Sequence, residues 1–201
     1  MSRVIANAYR HTAASADAIT LDSSGNVTFP ANATCSGTAT GFGGGKILQV
    51  VQAYKTDTFS ASLSVGAFSS AVLTQSITPA SASNKILVLC TLHVATGSGT
   101  SGCGAKLQRD GSDIGLADAD GNRARGVGAG IGSGVSSRVQ SNIQMTFLDS
   151  PNSTSALSYT AHIKTGYNGT QNVFLNREQG DSNLSSVTRP TSSLTLMEIE
   201  A

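Results

Sequence analysis

The chain has 201 residues, of which 39% are hydrophobic and only 12% are charged, and its formal net charge is +1. This length suits one domain with an appended segment, and the hydrophobic content is ample for one buried core, which argues against disorder. Charged residues usually make up about 25% of a globular domain. Because no Lys/Arg cluster stands out, the composition also argues against nucleic-acid binding.

Neither the cysteines nor the hydropathy pattern indicates a disulfide framework, a metal centre or a membrane segment. Cys35, Cys90 and Cys103 form an odd set without zinc-site spacing, and a Cys90–Cys103 disulfide stays an open alternative. The first residues carry no apolar stretch of signal-peptide length, and no run approaches the roughly 20 apolar residues of a membrane helix. We therefore expect a chain that is made in the cytoplasm, does not insert into a membrane and can join a particle assembled there.

Residues 1–45 are predicted to form an extended N-terminal arm that ends in a glycine-rich linker. Residues 19–30 contain two short β-like runs around a Ser-Gly-Asn turn, and the glycines of 41–45 mark a hinge. An isolated hairpin is only marginally stable in water, so the arm should need a partner surface or identical arms beside it. The chain thus divides into an attachment arm, 1–45, and a head domain, 46–201.

The head is predicted to contain about eight or nine short antiparallel strands. The clearest is 85–95, where apolar residues recur at every second position from Ile86 to Val94. Asp110-Gly111 is a strong hairpin signal. Other strands are expected at 47–54, 71–78, 106–109, from 114 onward, 142–149, 157–164, 173–175 and 193–199. With no convincing amphipathic helix, this pattern predicts an all-β sandwich or jelly roll.

Glycines alternate with larger residues from Gly126 to Gly134. If this segment is a strand, one of its faces has no side chains. Two interpretations remain open. The segment is either a weak, loop-like stretch, or a strand whose bare face is approached closely by another backbone or a large side chain, as at a subunit contact.

The sequence indicates no catalytic or metal-binding constellation. His11, His93 and His162 lack paired metal spacing. Residues 118–122 resemble the start of a calcium loop but lack its later acidic ligand, which favours an ordinary turn. Glycan cleavage would need two facing carboxylates, and no pair is indicated. We therefore predict no enzyme, no cofactor and no metal, with a β-sandwich glycan-active enzyme as a remote alternative.

Six segments, in this order, resemble a family of tail-fibre and virion structural proteins of marine and cyanobacterial phages. They are SITPASASNKILV at 76–88, LQRDGSDIG at 107–115, DGNRAR at 120–125, FLDSP at 147–151, VFLNR at 173–177 and LTLMEI at 194–199. The resemblance extends from near Ile47 to Ala201. It implies a jelly-roll head that trimerises, similar to tumour-necrosis-factor and C1q-like heads. The glycines from Gly126 to Gly134 depart from that family's pattern, in which bulkier residues are expected.

The resemblance also implies a function. We expect a non-enzymatic virion structural protein at the particle surface, a homotrimeric tail fibre that residues 1–45 attach to other virion proteins. The exposed head would contact a host glycan or protein through two loops. Their candidate contact residues are Asp118, Asp120, Asn122, Arg123, Tyr167 and Asn168. The alternative is a capsid decoration (cement) protein or head fibre that stabilises the shell.

Overall fold

The structure is a computed structural model that describes residues 6–29, 46–97, 102–130, 140–166 and 169–201. The chain divides into two compact units, Met1–Gly43 and Gly44–Ala201. Within the described ranges, every regular element is a β-strand. No helix in these ranges is long and apolar enough to cross a membrane.

The N-terminal unit contains a small antiparallel sheet. Its strands are β1 (Ala8–Tyr9), β2 (Ile19–Leu21) and β3 (Val27–Thr28), in the order β1-β2-β3. The hairpin predicted around the Ser-Gly-Asn turn is β2–β3. In its turn the Asp22 carboxylate accepts a hydrogen bond from the backbone N–H of Asn26 at 2.8 Å. Gly25 has a φ of +85°, a conformation that favours glycine.

This small sheet has no core of its own. No residue between 6 and 29 is buried, and the large side chains of Tyr9, Val27 and Phe29 are 48%, 51% and 42% exposed. Strand pairing without burial of an apolar face is marginal in water. That the arm needs a partner surface stays a prediction.

The C-terminal unit is built from eleven described strands. They are β4 (Ile47–Lys55), β5 (Phe59–Leu63), β6 (Leu73–Ile77), β7 (Lys85–Thr96), β8 (Cys103–Arg109), β9 (Ser112–Ile114), β10 (Gly128–Gly130), β11 (Ser141–Asp149), β12 (Leu157–Thr165), β13 (Gln171–Leu175) and β14 (Ser192–Ile199). Nine of them correspond to predicted strands, and the Asp110-Gly111 hairpin joins β8 to β9. The strand β5 was not predicted, and β10 agrees with the strand interpretation of the alternating glycines. Both are rich in Ser, Ala or Gly, which have weak β-propensity, so they depend on pairing to β13 and β8.

The strands form two antiparallel sheets with jelly-roll connections. Sheet 1 has the order β4-β14-β7-β11, and β13 and β5 continue beside the far end of β7. Sheet 2 has the order β6-β12-β8-β10, with β9 also paired to β8. Eight strands form the jelly roll: β4, β6, β7, β8, β10, β11, β12 and β14. When they are numbered one to eight in chain order, sheet 1 contains the first, eighth, third and sixth strands, and sheet 2 contains the second, seventh, fourth and fifth. This order contains the two Greek keys of a jelly roll, so the predicted fold class is confirmed.

The core lies between the two sheets and follows the period-2 pattern. Every second residue of β7 from Ile86 to Val94 is buried, and β12 alternates in the same way from Leu157 to Thr165. Burying one such aliphatic side chain stabilises the fold by about 1.5–3 kcal/mol. Fully buried large residues from both sheets include Ile86, Leu92, Leu107, Tyr159, Ile163, Leu194 and Leu196.

Cys90 and Cys103 are both buried and both free, so the disulfide left open by the sequence is not formed. Cys90 belongs to sheet 1 and Cys103 to sheet 2. Burial raises the pKa of the Cys90 thiol to about 12. Cys90 therefore acts as a small apolar side chain of the core.

A buried carboxylate, Asp149 at the end of β11, ties the two sheets together. Its Oδ2 accepts hydrogen bonds from Arg109 Nη1 at 2.6 Å and from the Tyr159 hydroxyl at 2.7 Å. Burial, and then the hydrogen bond to Asp149, raise the pKa of Tyr159. The phenol therefore stays a donor over the ordinary pH range.

A second buried carboxylate, Glu198 in β14, fastens the loop between β6 and β7. It accepts hydrogen bonds from Asn84 Nδ2 at 2.6 Å, Gln49 Nε2 at 2.6 Å and the backbone N–H of Ala80 at 2.7 Å. Burial raises the pKa of Glu198, but these hydrogen bonds together outweigh it, so the pKa lies below the ordinary value of 4.5. The ionised carboxylate is the form that holds the loop.

Candidate functional site

The first predicted contact segment, residues 118–125, is the exposed part of the loop between β9 and β10. The predicted contact residues Asp118, Asp120, Asn122 and Arg123 are all exposed. The base of the loop is closed by two hydrogen bonds, from Ala117 N–H to the Gly126 carbonyl at 3.3 Å and from Arg125 Nε to the Ala117 carbonyl at 2.5 Å. The structure thus presents four of the six candidates to solvent from one closed loop, which we call the contact loop.

The tip of the contact loop is a local turn. Arg123 forms a salt bridge with the Asp120 carboxylate, and its backbone N–H donates to the Asp120 carbonyl at 3.2 Å. Gly121 has a φ of +55°, a conformation that favours glycine. An ion pair this exposed contributes little stability. Arg123 and Asp120 can therefore give up this ion pair for contacts with a ligand at little cost in stability.

The second predicted contact segment contains Tyr167 and Asn168. Both residues lie outside the described residues, and the chain is described again from Gly169. The contact role of these two residues stays a prediction.

The histidine on β12 is held by hydrogen bonds. Nδ1 of His162 lies 2.9 Å from the Ser69 carbonyl, and Nε2 lies 2.9 Å from Thr160 Oγ1. Ser69 in turn bonds the backbone of Ile163 through its N–H and hydroxyl groups. His162 therefore helps to fix the segment before β6. Across the described ranges, no group of three or more His, Cys, Asp or Glu side chains is placed to hold a metal ion.

Gly128 and Gly130, in the described part of the alternating run, face the core of the same chain. Residues 128–130 form β10, and a Cβ at Gly128 would lie 2.6 Å from Ile143 Cγ2 of β11. A Cβ at Gly130 would lie 2.6 Å from Ser141 Cβ and 2.8 Å from Cys103 Sγ. The bare face is approached closely, as one interpretation held, but by β11 and β8 and not by a subunit. Gly132 and Gly134 lie outside the described residues.

The outer face of sheet 1 carries an apolar row that crosses four strands. The register pairs Val50 with Met197, Met197 with Leu87, and Leu87 with Leu148. At its two ends, Val50 is 53% exposed and Leu148 is 48% exposed. We call these four residues the apolar row.

The residues around the apolar row extend its character. Leu48 of β4, two residues before Val50, is 42% exposed, and half-buried Leu89 lies on the neighbouring row of β7. The charged residue that this face of β7 carries is Lys85, at the start of the strand. Contiguous exposed apolar surface of this kind marks interaction sites.

The outer face of sheet 2 is polar by contrast. Its outward positions on β6, β8 and β12 are Thr74, Ser76, Lys106, Gln108, Ser158, Thr160, His162 and Lys164. Lys106 bonds Asp113 at 2.7 Å, and this bond lowers the pKa of Asp113. The outer face of sheet 2 therefore has no counterpart of the apolar row, which on sheet 1 is bordered by the polar residues Gln52, Thr195 and Thr146.

Among solved structures, the chain is similar to particles of infectious bursal disease virus. For the VP2 subviral particle the TM-score is 0.38 at 12% identity, covering 75% of this chain and 39% of that one. For the Gt strain structure the TM-score is 0.41 at 15% identity, covering 76% of this chain and 40% of that one. For the virus-derived T=1 particles the TM-score is 0.39 at 14% identity, covering 75% of this chain and 38% of that one. The chain thus spans about two fifths of the length of these chains. Likeness at this level says nothing about function, and the jelly-roll assignment rests on strand order.

Sequence comparisons add no family. No family model matches the chain, and no curated protein sequence matches it.

Sequence reasoning overlooked the apolar row, although a signal for it was present. The run Ile86 to Cys90 is continuously apolar, so the outer face of β7 carries Leu87 and Leu89 in addition to the apolar inner face. A run that is apolar on both faces of a strand is a signal for apolar surface on the outer side of the sheet.

Proposed function

We propose that this protein is a non-enzymatic structural component of a bacteriophage particle. In this proposal it is a short homotrimeric tail fibre at the particle surface, attached by residues 1–45 to other virion proteins, with the head exposed for contact with a host glycan or protein. Support comes from the six phage-like segments of the sequence and from the jelly-roll strand order.

The observation that carries the proposal is the apolar row. Val50, Met197, Leu87 and Leu148 form an uncovered stripe across sheet 1. Packing the apolar row against identical copies around a closed symmetry axis would remove it from water, and none of its four residues is charged. A homotrimer in which each copy contributes its row to the shared interface fits this chemistry.

The N-terminal unit supports the attachment part of the proposal. Residues 6–29 contain paired strands but no buried side chain, and Tyr9, Val27 and Phe29 are exposed. Docking on another virion protein, or on neighbouring arms, would bury these side chains and stabilise the sheet.

The contact loop supports the recognition part. Asp118, Asp120, Asn122 and Arg123 present polar groups of both charges on a surface loop closed at its base. Contacts of this type are weak one at a time. Three copies around one axis would raise the avidity far above the affinity of a single loop.

Immunogold electron microscopy of purified phage with an antibody against the head tests this proposal. Label at the tail is the expected result. Label spread over the capsid would contradict the tail-fibre assignment in favour of a decoration protein. Purified particles without label would overturn the virion role. Hydrolysis of host polysaccharide by the purified protein would overturn the non-enzymatic assignment.

A further inference from the structure

The small sheet of the N-terminal unit has two chemically different faces. Its register places Tyr9 opposite Ile19, and Val27 opposite Leu21. Residues that lie opposite each other in an antiparallel pair share a face, and so do alternate residues of one strand, such as Ile19 and Leu21. Tyr9, Ile19, Leu21 and Val27 therefore lie on one face, which we call the arm face.

The opposite face of this sheet is small and polar. It carries Ala8 opposite Thr20, and Thr20 opposite Thr28. An antiparallel sheet that is apolar on one side only usually covers a core with that side and meets water with the other. Residues 6–29 supply no such core, because none of them is buried.

The arm face is apolar, uncharged and in part open to solvent. Tyr9 is 48% exposed and Val27 is 51% exposed, while the two residues on the central strand are half-buried. None of the seven residues in the three strands is charged, and the Arg10–Asp17 ion pair lies outside them. The arm face can therefore be covered without burying a charge.

The arm face is too small to hold a separate partner protein by itself. Its strands are two or three residues long. At about 4.8 Å between strands and about 3.3 Å per residue, the patch measures roughly 14 Å by 10 Å, or about 140 Å². A stable complex between separate proteins usually buries about 800 Å² on each partner. A separate partner would need most of its contacts elsewhere.

Further copies of the same chain meet a weaker requirement. In the proposed homotrimer the associated heads keep the three arms at a high effective concentration, so a contact too small for separate proteins can form between arms. Self-association also places identical side chains near one another around the axis. Because the arm face carries no charge, this packing brings no like charges together.

Three sheets of this size also fit around a threefold axis. Sheets about 14 Å wide that enclose a triangle would lie about 4 Å from its axis, and the side chains of a packed sheet fill about 5 Å, half the usual spacing between sheets. The side chains of the arm face would therefore fill the interior. The central strand β2, with Ile19 and Leu21, would lie nearest the axis.

We propose that the arm faces of three copies pack against one another around the trimer axis and form a shared apolar interior. The inference deepens the proposed homotrimer, on which it rests, by naming the partner of the arm face: the same four residues of the two neighbouring copies. The polar face of Ala8, Thr20 and Thr28 stays outside, where it can contact another virion protein.

Oxidative cross-linking of the full-length protein tests the proposal. Every variant carries Cys35→Ser, because Cys90 and Cys103 are buried and Cys35 is the remaining native thiol. Leu21→Cys places a thiol near the proposed axis, and Thr20→Cys, the matched control, places one on the opposite face of the same strand. With oxidised glutathione, Leu21→Cys should form interchain disulfides at least ten times faster than Thr20→Cys, read as two-chain bands on non-reducing gels.

A second variant keeps the test valid if residue 21 does not tolerate the change. A disulfide needs two Cβ atoms within about 4.5 Å of each other. Ile19→Cys also lies on the arm face of β2 and should show the same preference over Thr20→Cys. Equal cross-linking rates for all three variants would overturn the inference.

The mass of the unchanged protein separates this inference from the proposed function. A trimer without selective cross-linking on the arm face would overturn the inference and leave the trimer standing. A monomer mass would refute both. Selective cross-linking in a chain that is absent from the phage particle would uphold the inference and refute the virion role. Residue-21 thiols that react with maleimide in the purified protein and are protected only in the particle would assign the arm face to another virion protein and overturn the inference.

Discussion

Replacing Val50 with Asp tests whether the apolar row is a subunit interface. Val50 is 53% exposed in the single chain, and full burial of a valine side chain stabilises by about 1.5–3 kcal/mol. Roughly half of this, ~1 kcal/mol per copy, is therefore left for the interface to gain. The substitution removes this gain from all three copies and buries three carboxylates, each at a cost of several kcal/mol. A trimer should dissociate.

The folded single chain should tolerate the same change. An exposed position on an edge strand costs at most about 1 kcal/mol when a valine is replaced by a poorer strand former. Size-exclusion chromatography with light scattering should give a trimer mass for the unchanged protein and a monomer mass for Val50→Asp, both with cooperative melting. Thr74→Asp, at an exposed position on β6, is the control and should stay trimeric. A monomeric unchanged protein at micromolar concentration, or a trimeric Val50→Asp protein, would refute the reasoning.

Three further predictions concern the head itself. Because the folded-state pKa of Glu198 is lowered, the carboxylate stabilises the fold above pH 4.5, and this contribution is lost as pH falls through the folded-state pKa. Glu198→Gln should lower the free energy of unfolding by about 2–3 kcal/mol at pH 7 and flatten its pH dependence, as measured by urea denaturation. Tyr159→Phe removes a donor to the buried Asp149 carboxylate and should cost about 1–3 kcal/mol in chemical denaturation, whereas no loss would contradict the sheet-bridging role. Gly128→Ala should cost about 1–3 kcal/mol through overpacking against Ile143, while Ala129→Ser on the exposed side should be neutral in thermal melting.

The jelly roll could be predicted where local chemistry decides the structure. Alternation of apolar residues from Ile86 to Val94 gave the inner face of β7 correctly. The Asp110-Gly111 turn has φ values of 48° and 80°, both positive as a type I′ hairpin turn requires. These features depend on neighbours in sequence, so one sequence suffices to find them.

Features set by the packing of distant segments were not predictable in the same way. The direction of the glycine face depends on which residue of β11 lies opposite, here Ile143 for Gly128. Asp149 stands in a turn-like Asp-Ser-Pro context, yet it is buried because Arg109 and Tyr159 reach it from sheet 2.

The candidate site likewise contains features that neighbours in sequence determine and features that depend on the packing of distant segments. The exposure of Asp118, Asp120, Asn122 and Arg123 follows from a polar, turn-forming segment and was predicted. The apolar row needed the register of four strands, and the continuous apolar run from Ile86 to Cys90 signals the contribution of only one of them.

A cryo-electron microscopy map of the purified phage tests the central claim most directly. The account predicts three jelly-roll heads around a threefold axis at the tail, with Val50 and Leu148 of each copy in the interface between heads. Heads that stand singly on the particle with the apolar row facing solvent, or particles that contain no copy of this chain, would contradict it.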